Sequence, residues 1–115
     1  MNFNDLLNND NSEKNKKQGV IIYFNYGHEN LEPLHELESK LRILLYNSGT
    51  GELDGHQMAL DLLDGFLYLY GDSAEELFKI IKPTLLATQF MRKAEINLRF
   101  GVSGNEVSDI DFVLE

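Results

Sequence analysis

Hydrophobic and polar positions follow two rhythms along this chain, a period of two that marks strands and a period of three to four that marks helices. The clearest stretch is Asp64-Gly65-Phe66-Leu67-Tyr68-Leu69-Tyr70-Gly71, a turn signal running into aromatic and branched residues. Taking Asp64-Gly65 as a two-residue hairpin turn of the primed type pairs Leu63 with Phe66, Leu62 with Leu67, Asp61 with Tyr68 and Leu60 with Leu69. Leu67 and Leu69 then share a face with Leu62, Leu60 and Met58, while Phe66, Tyr68 and Tyr70 point the other way beside Leu63, Asp61 and Ala59. The first face is expected to be core and the second an aromatic platform.

Upstream, residues 1–18 hold only Phe3, Leu6 and Leu7 as apolar anchors among Asn, Asp, Ser and Lys, and they read as a mobile arm. At Gly19 the pattern turns abruptly into Val20-Ile21-Ile22-Tyr23-Phe24-Asn25-Tyr26, apolar on both faces, as expected of a central strand. Asn30 can cap a helix whose Leu31, Leu34, Leu37, Leu41, Leu44 and Leu45 recur at three and four. Pro33 sits in its first turn, and Asn47-Ser48-Gly49 is its stop. In Gly51–Met58 the parities of Leu53 and Met58 disagree, and a bulge at Gly55 or a turn at Asp54-Gly55 repairs this.

Ser73 and Glu76 have capping-box spacing ahead of a second helix that carries Leu77, Phe78, Ile80, Ile81, Leu85 and Leu86 inward, with Pro83 expected to kink or split it. From Arg92 to Gly101 the chain alternates, with Ala94, Ile96, Leu98 and Phe100 inward. The order β-α-β-β-α-β predicts an α+β fold, the ferredoxin-like two-layer sandwich, with an antiparallel sheet and both helices on one face. Strands one and three then lie in the middle and strands four and two at the edges. The region 19–101 is expected to form one domain. The acidic tail 102–115, with its patch Ile110-Asp111-Phe112-Val113-Leu114, adds an edge strand or stays loose.

Charge changes the picture more than composition does. The 115 residues carry a formal charge of −9, and the hairpin from Glu52 to Asp72 holds five acids and no base. Nucleic-acid affinity comes largely from Lys and Arg displacing counterions, so a basic partner is expected rather than DNA or RNA. Zero cysteines leave no disulfide and no thiolate chemistry. No secretory signal or membrane-length apolar run is evident, and the whole chain is expected to act in the cytoplasm, with no membrane partner.

The helix-free face gathers Phe66, Tyr68 and Tyr70, Ile21, Tyr23 and Asn25 of the first strand, and Glu95, Asn97 and Arg99 of the fourth. Aromatics on these two central strands are how RNA-recognition domains stack bases, but Phe66-Leu67-Tyr68-Leu69-Tyr70 has none of the accompanying basic residues. Glu52, Asp54 and His56 share a face if their strand is straight. Alternate residues stand roughly 6.6 Å apart, too far for three in succession to meet one ion. His28 and His35 read as surface residues, and no catalytic, cofactor or metal motif appears.

The segment Gly51-Glu52-Leu53-Asp54-Gly55, then Leu67-Tyr68-Leu69-Tyr70-Gly71, then Ala74, Leu77-Phe78, Ile81 and Pro83, and finally Leu98-Arg99-Phe100-Gly101 resembles a set of small uncharacterised bacterial α+β proteins. Some of these are similar to the immunity proteins of polymorphic toxin systems. The resemblance covers roughly residues 19–101 and implies a small acidic protein that binds and neutralises a partner. The expected function is thus non-enzymatic binding of a basic toxin domain. The alternative is a ferredoxin-like homodimer of structural or regulatory role. The expected partner-binding residues are the aromatics Tyr23, Phe66, Tyr68 and Tyr70 with the acids Glu52, Asp54, Asp61, Asp64, Glu32 and Glu36. Glu29 and Glu38 are expected on the same outer side of the first helix.

Overall fold

The computed structural model describes residues 17–103 and 106–115. The arm expected over residues 1–18 thus lies almost wholly outside the described residues. The described elements are β1 (Gln18–Asn25), α1 (Glu32–Ser48), β2 (Gly51–Met58), β3 (Asp64–Gly71), α2 (Ala74–Leu86), a 3-10 turn (Gln89–Met91), β4 (Glu95–Ser103) and β5 (Glu106–Val113). The fold is α+β: one five-stranded antiparallel sheet of order β2-β3-β1-β4-β5, with two helices. Strands β1 and β3 are the expected central neighbours. Strand β4 is not an edge, because β5 pairs along it from Glu95–Val113 to Ser103–Glu106.

Core formation follows the alternation. Val20, Ile22 and Phe24 of β1, Leu67 and Leu69 of β3, and Ile96 and Leu98 of β4 pack with Leu34, Leu37, Leu41 and Leu45 of α1 and Leu77, Ile81 and Leu85 of α2 in one buried cluster. The helices therefore cover one face of the sheet, and they also touch each other. Burying a leucine or isoleucine side chain contributes about 1.5–3 kcal/mol, so the dozen such positions supply the main driving force.

Local chemistry starts and stops each helix. The Asn30 side-chain oxygen accepts from the Glu32 N–H at 2.9 Å, one residue ahead of the N-cap Leu31. The Tyr26 hydroxyl donates to the Asn30 carbonyl at 2.6 Å and accepts from the Leu34 N–H at 3.2 Å, joining the end of β1 to the first turn of α1. Gly49 closes α1 at φ 67°, its N–H bonded to the Leu45 carbonyl at 2.9 Å. That left-handed geometry suits a residue without Cβ. The Ser73 Oγ accepts from the Glu76 N–H at 3.2 Å, as its spacing predicts. Pro83 does not split α2, which runs unbroken to Leu86: the proline falls in the last turn, where few hydrogen bonds remain to be lost. Leu86, expected inward, is exposed just beyond the buried Leu85.

The connection between β2 and β3 differs from the expected tight turn. Asp64 and Gly65 lie within β3, and the chain reverses through residues 59–63 instead. There the Leu62 N–H bonds the Ala59 carbonyl at 3.0 Å, the Ala59 N–H bonds the Asp64 carbonyl at 3.1 Å, and the Asp61 side chain accepts from the Leu63 N–H at 3.1 Å. Gly65 is needed for closeness rather than for turning, since a Cβ there would stand 2.8 Å from the Gln57 carbonyl oxygen. As a result Leu60, expected on the aliphatic face, is exposed, and so is Leu63, expected beside the aromatics. The bulge, by contrast, is where parity requires it. The register shifts between Leu53 and Gly55, which puts Leu53, His56 and Met58 together on the helix side.

Candidate interaction surface

Among the described residues, no element covers the face of the sheet away from the helices. β3 presents Asp64, Phe66, Tyr68 and Tyr70, and β1 presents Ile21, Tyr23 and Asn25. β4 presents Glu95, Asn97 and Arg99, and β5 sets Val113, Asp111 and Asp109 directly opposite them. The period of two alone produces this surface, because the partners of every inward residue are inward.

Its centre is aromatic. The rings of Tyr23 and Phe66, on adjacent strands, stand 5.0 Å apart at 47°, and Phe66 and Tyr68 are stacked at 6.1 Å. The hydroxyls are engaged: Tyr23 donates to Asp64 Oδ2 at 2.5 Å, and Tyr68 donates to Gln57 Oε1 at 3.1 Å. The Asp64 carboxylate, which accepts the Tyr23 hydrogen bond, holds this phenol above the usual range, with smaller contributions from burial and from Glu95. Beside the pair lies a groove of about 490 Å³ lined by Ile21, Tyr23, Phe66, Glu95, Asp111 and Val113 among others.

Acids dominate the rim. On the β4–β5 side the Asn97 amide donates to Asp111 at 2.7 Å and to Asp109 at 3.3 Å, while Arg99 Nε donates to Asn97 at 3.0 Å. On the β2 side Lys17 pairs with Glu52 at 3.7 Å across exposed surface, an arrangement of little energetic weight.

The residues expected to bind a partner divide between regions. Tyr23, Phe66, Tyr68, Tyr70, Asp64 and Glu52 share the open face. Asp54 projects from the bulge, and Asp61 sits in the 59–63 turn at the end of the sheet that carries Asp64. Glu32 and Glu36 are exposed on α1, which lies across the sheet from the aromatics, so these two acids belong to another surface. Glu29 is exposed in the loop before α1. Glu38, expected on the outer side with them, is buried at 7% exposure and meets His56 Nδ1 at 2.9 Å. Four residues after Leu34 and three before Leu41, Glu38 lies on the buried stripe of α1, and the bulge supplies its partner: it turns His56 toward α1 and away from Glu52 and Asp54, so these three do not share a face. His35 lies near this pair, its ring 6.1 Å from that of His56, while His28 packs on Tyr26 at 4.7 Å.

Asp109, Asp111 and Val113 join the surface without having been expected there. Their signal was the alternation in Ser108-Asp109-Ile110-Asp111-Phe112-Val113, which fits a half-covered strand: Phe112 meets Phe78 of α2 edge-on at 5.1 Å while the acids face out. Among the described residues no group of three or more His, Cys, Asp or Glu is arranged to hold a metal ion, and no helix is long and apolar enough to cross a membrane. Compared with family models, with curated proteins and with solved structures, the chain matches none.

Proposed function

We propose that this chain is a non-catalytic protein-binding domain of the immunity type, acting in the cytoplasm, whose open sheet face meets a basic toxin domain. In this reading the fold is a ferredoxin-like sandwich widened by a fifth strand. The carrying observation is the pairing of an aromatic centre, Tyr23, Phe66 and Tyr68, with the acidic rim of Asp64, Glu95, Asp109 and Asp111 on one helix-free face. Aromatic anchors with polar surroundings are the usual anatomy of a protein interface, and one sign of charge favours a partner of the other sign. A homodimer through the same face is the second reading, favoured by its exposed aromatics. It would bring two acidic rims together, and for that reason we rank it lower.

The test is association with a basic domain encoded beside this chain's gene. Association should slow steeply as salt rises while dissociation changes little, and truncating Tyr68 or Phe66 should act mainly on dissociation. Absence of binding to such a neighbour would defeat the immunity reading. Light scattering decides the homodimer, which Tyr68→Asp should convert to monomer with no other protein present.

A further inference from the structure

We infer that the groove running across β3, β1, β4 and β5 is a pocket for a guanidinium group, the point at which an arginine side chain of a protein partner is held. The inference deepens the interface reading above and rests on it for the identity of the partner. Three observations carry it together. The groove, at about 490 Å³, falls in the size range of ligand pockets rather than of packing defects. One wall is the tilted Tyr23–Phe66 ring pair, which offers π-faces to a cation. Glu95 on β4 and Asp111 on β5 line the rest of the groove, with Ile21 and Val113 adding apolar surface.

The charged groups sort themselves by availability. Asp64 is engaged by the Tyr23 hydroxyl, and Asp111 accepts one bond from Asn97, which leaves it with acceptor capacity for another donor. Glu95 is exposed and accepts no hydrogen bond among those of the described residues. Lys93 lines the adjoining groove on the far side of Tyr23 and Glu95, and Arg99 is held by Asn97 further along β4. Among the described residues, the groove therefore offers two carboxylates and no Lys or Arg on its own walls.

Arginine fits this lining better than lysine. An ammonium is compact and strongly hydrated, so the apolar walls would strip its water without replacing it. A guanidinium is planar and more weakly hydrated, stacks on a ring and donates in the plane to carboxylates on either side.

A defined probe decides the matter: acetyl-Gly-Arg-Gly-amide titrated into the full chain by NMR, with the lysine peptide and the uncharged citrulline peptide as controls. The expected result is saturable shifts of the Tyr23 and Phe66 ring resonances by the arginine peptide. Affinity for lysine should be about fivefold lower, about 1 kcal/mol, the scale of one exposed cation–π contact. Glu95→Gln combined with Asp111→Asn should weaken the arginine peptide about tenfold or more while the circular dichroism and melting curve stay as in wild type. Both positions are exposed, so this variant is expected to fold. Shifts of equal size from the citrulline peptide, equal affinity for lysine, shifts indifferent to the double variant, or no saturable shift up to the peptide's solubility limit would each overturn the pocket. A neighbour-encoded basic domain that still binds after such a failure, with dissociation governed by Tyr68, would leave the interface reading standing without the pocket. Arginine binding in the absence of any basic protein partner would leave the pocket without that reading.

Discussion

The two faces of β1 are built from nearly the same kinds of residue and have opposite fates. Val20, Ile22 and Phe24 are 0%, 0% and 1% exposed beneath the helices, while their neighbours Ile21 and Tyr23 are half-buried on the open side. Hydrophobicity alone does not distinguish them. What does is the layer around them: the covered face packs into the buried cluster of helix leucines and isoleucines, whereas the open face is shared with hydroxyls, amides and carboxylates. A strand that is apolar on both sides can thus be covered on one and open on the other, and its register decides which residues lie on which.

The largest effect should come from removing one covered leucine. Leu69→Ala leaves a cavity at a fully buried position of a central strand, for a loss of about 2–5 kcal/mol. Tyr68→Ala, one residue away on the open face, should cost about 1 kcal/mol or less, the scale of a cross-strand aromatic pair. Denaturant midpoints measure both, and the reverse order would mean that the two faces have been exchanged.

Next in size is Gly71→Ala, also on the covered face, where a Cβ would come 2.2 Å from the Thr50 carbonyl oxygen and 3.2 Å from Gly51 Cα. Forcing β2 away from β3 should cost about 1–3 kcal/mol. A midpoint unchanged by this substitution would show that the seam between those strands is looser than its contacts imply.

Smaller again is His56→Ala, which leaves the Glu38 carboxylate buried without its imidazole. A loss of about 1–2 kcal/mol is expected, the penalty for an unpaired acceptor. His56→Gln, which can still donate, should recover part of it in the same thermal melts.

The smallest effect concerns protonation on the open face. The Tyr23 phenol is raised because its hydroxyl donates a hydrogen bond to Asp64, so the native state holds that proton more tightly than the unfolded chain does. The resulting stability is fully present below the unfolded phenol value of about 10 and is lost as pH rises through the folded one. Absorbance titration of tyrosine ionisation should show one phenol moving down in Asp64→Asn. Superimposable titrations of the two proteins would remove that hydrogen bond from the account.

Much of this was legible in the chain. The leucines of α1, the Ser73 cap and the alternation from Ala94 to Phe100 each point to a single local solution, and tertiary packing agrees with all three. Asp64-Gly65 misled because a glycine has two uses: the dipeptide is a strong turn signal, but here Gly65 makes room for the Gln57 backbone within a strand pair. Glu38 misled for a different reason. By period alone position 38, four after Leu34 and three before Leu41, falls on the buried stripe; a carboxylate there needs a partner, and His56 faces α1 only because of a one-residue bulge in another element, which the helix does not encode. Of the surface, the aromatics could be placed on one side by parity alone. Asp109 and Asp111 could not, because their membership required that residues 106–113 pair with β4.

The ends of the sheet carry a consequence of their own. An open five-stranded sheet has two free borders, and each offers unpaired backbone groups on which another chain can polymerise. Among the described residues one border is β2, whose regular ladder is broken between Leu53 and Gly55, and the other is β5, where Asp109 and Asp111 interrupt any run of apolar residues. A kinked border and a charged border are both poor templates. The same bulge that turns His56 inward and the same acids that rim the open face therefore also guard the chain against fibril growth at high concentration.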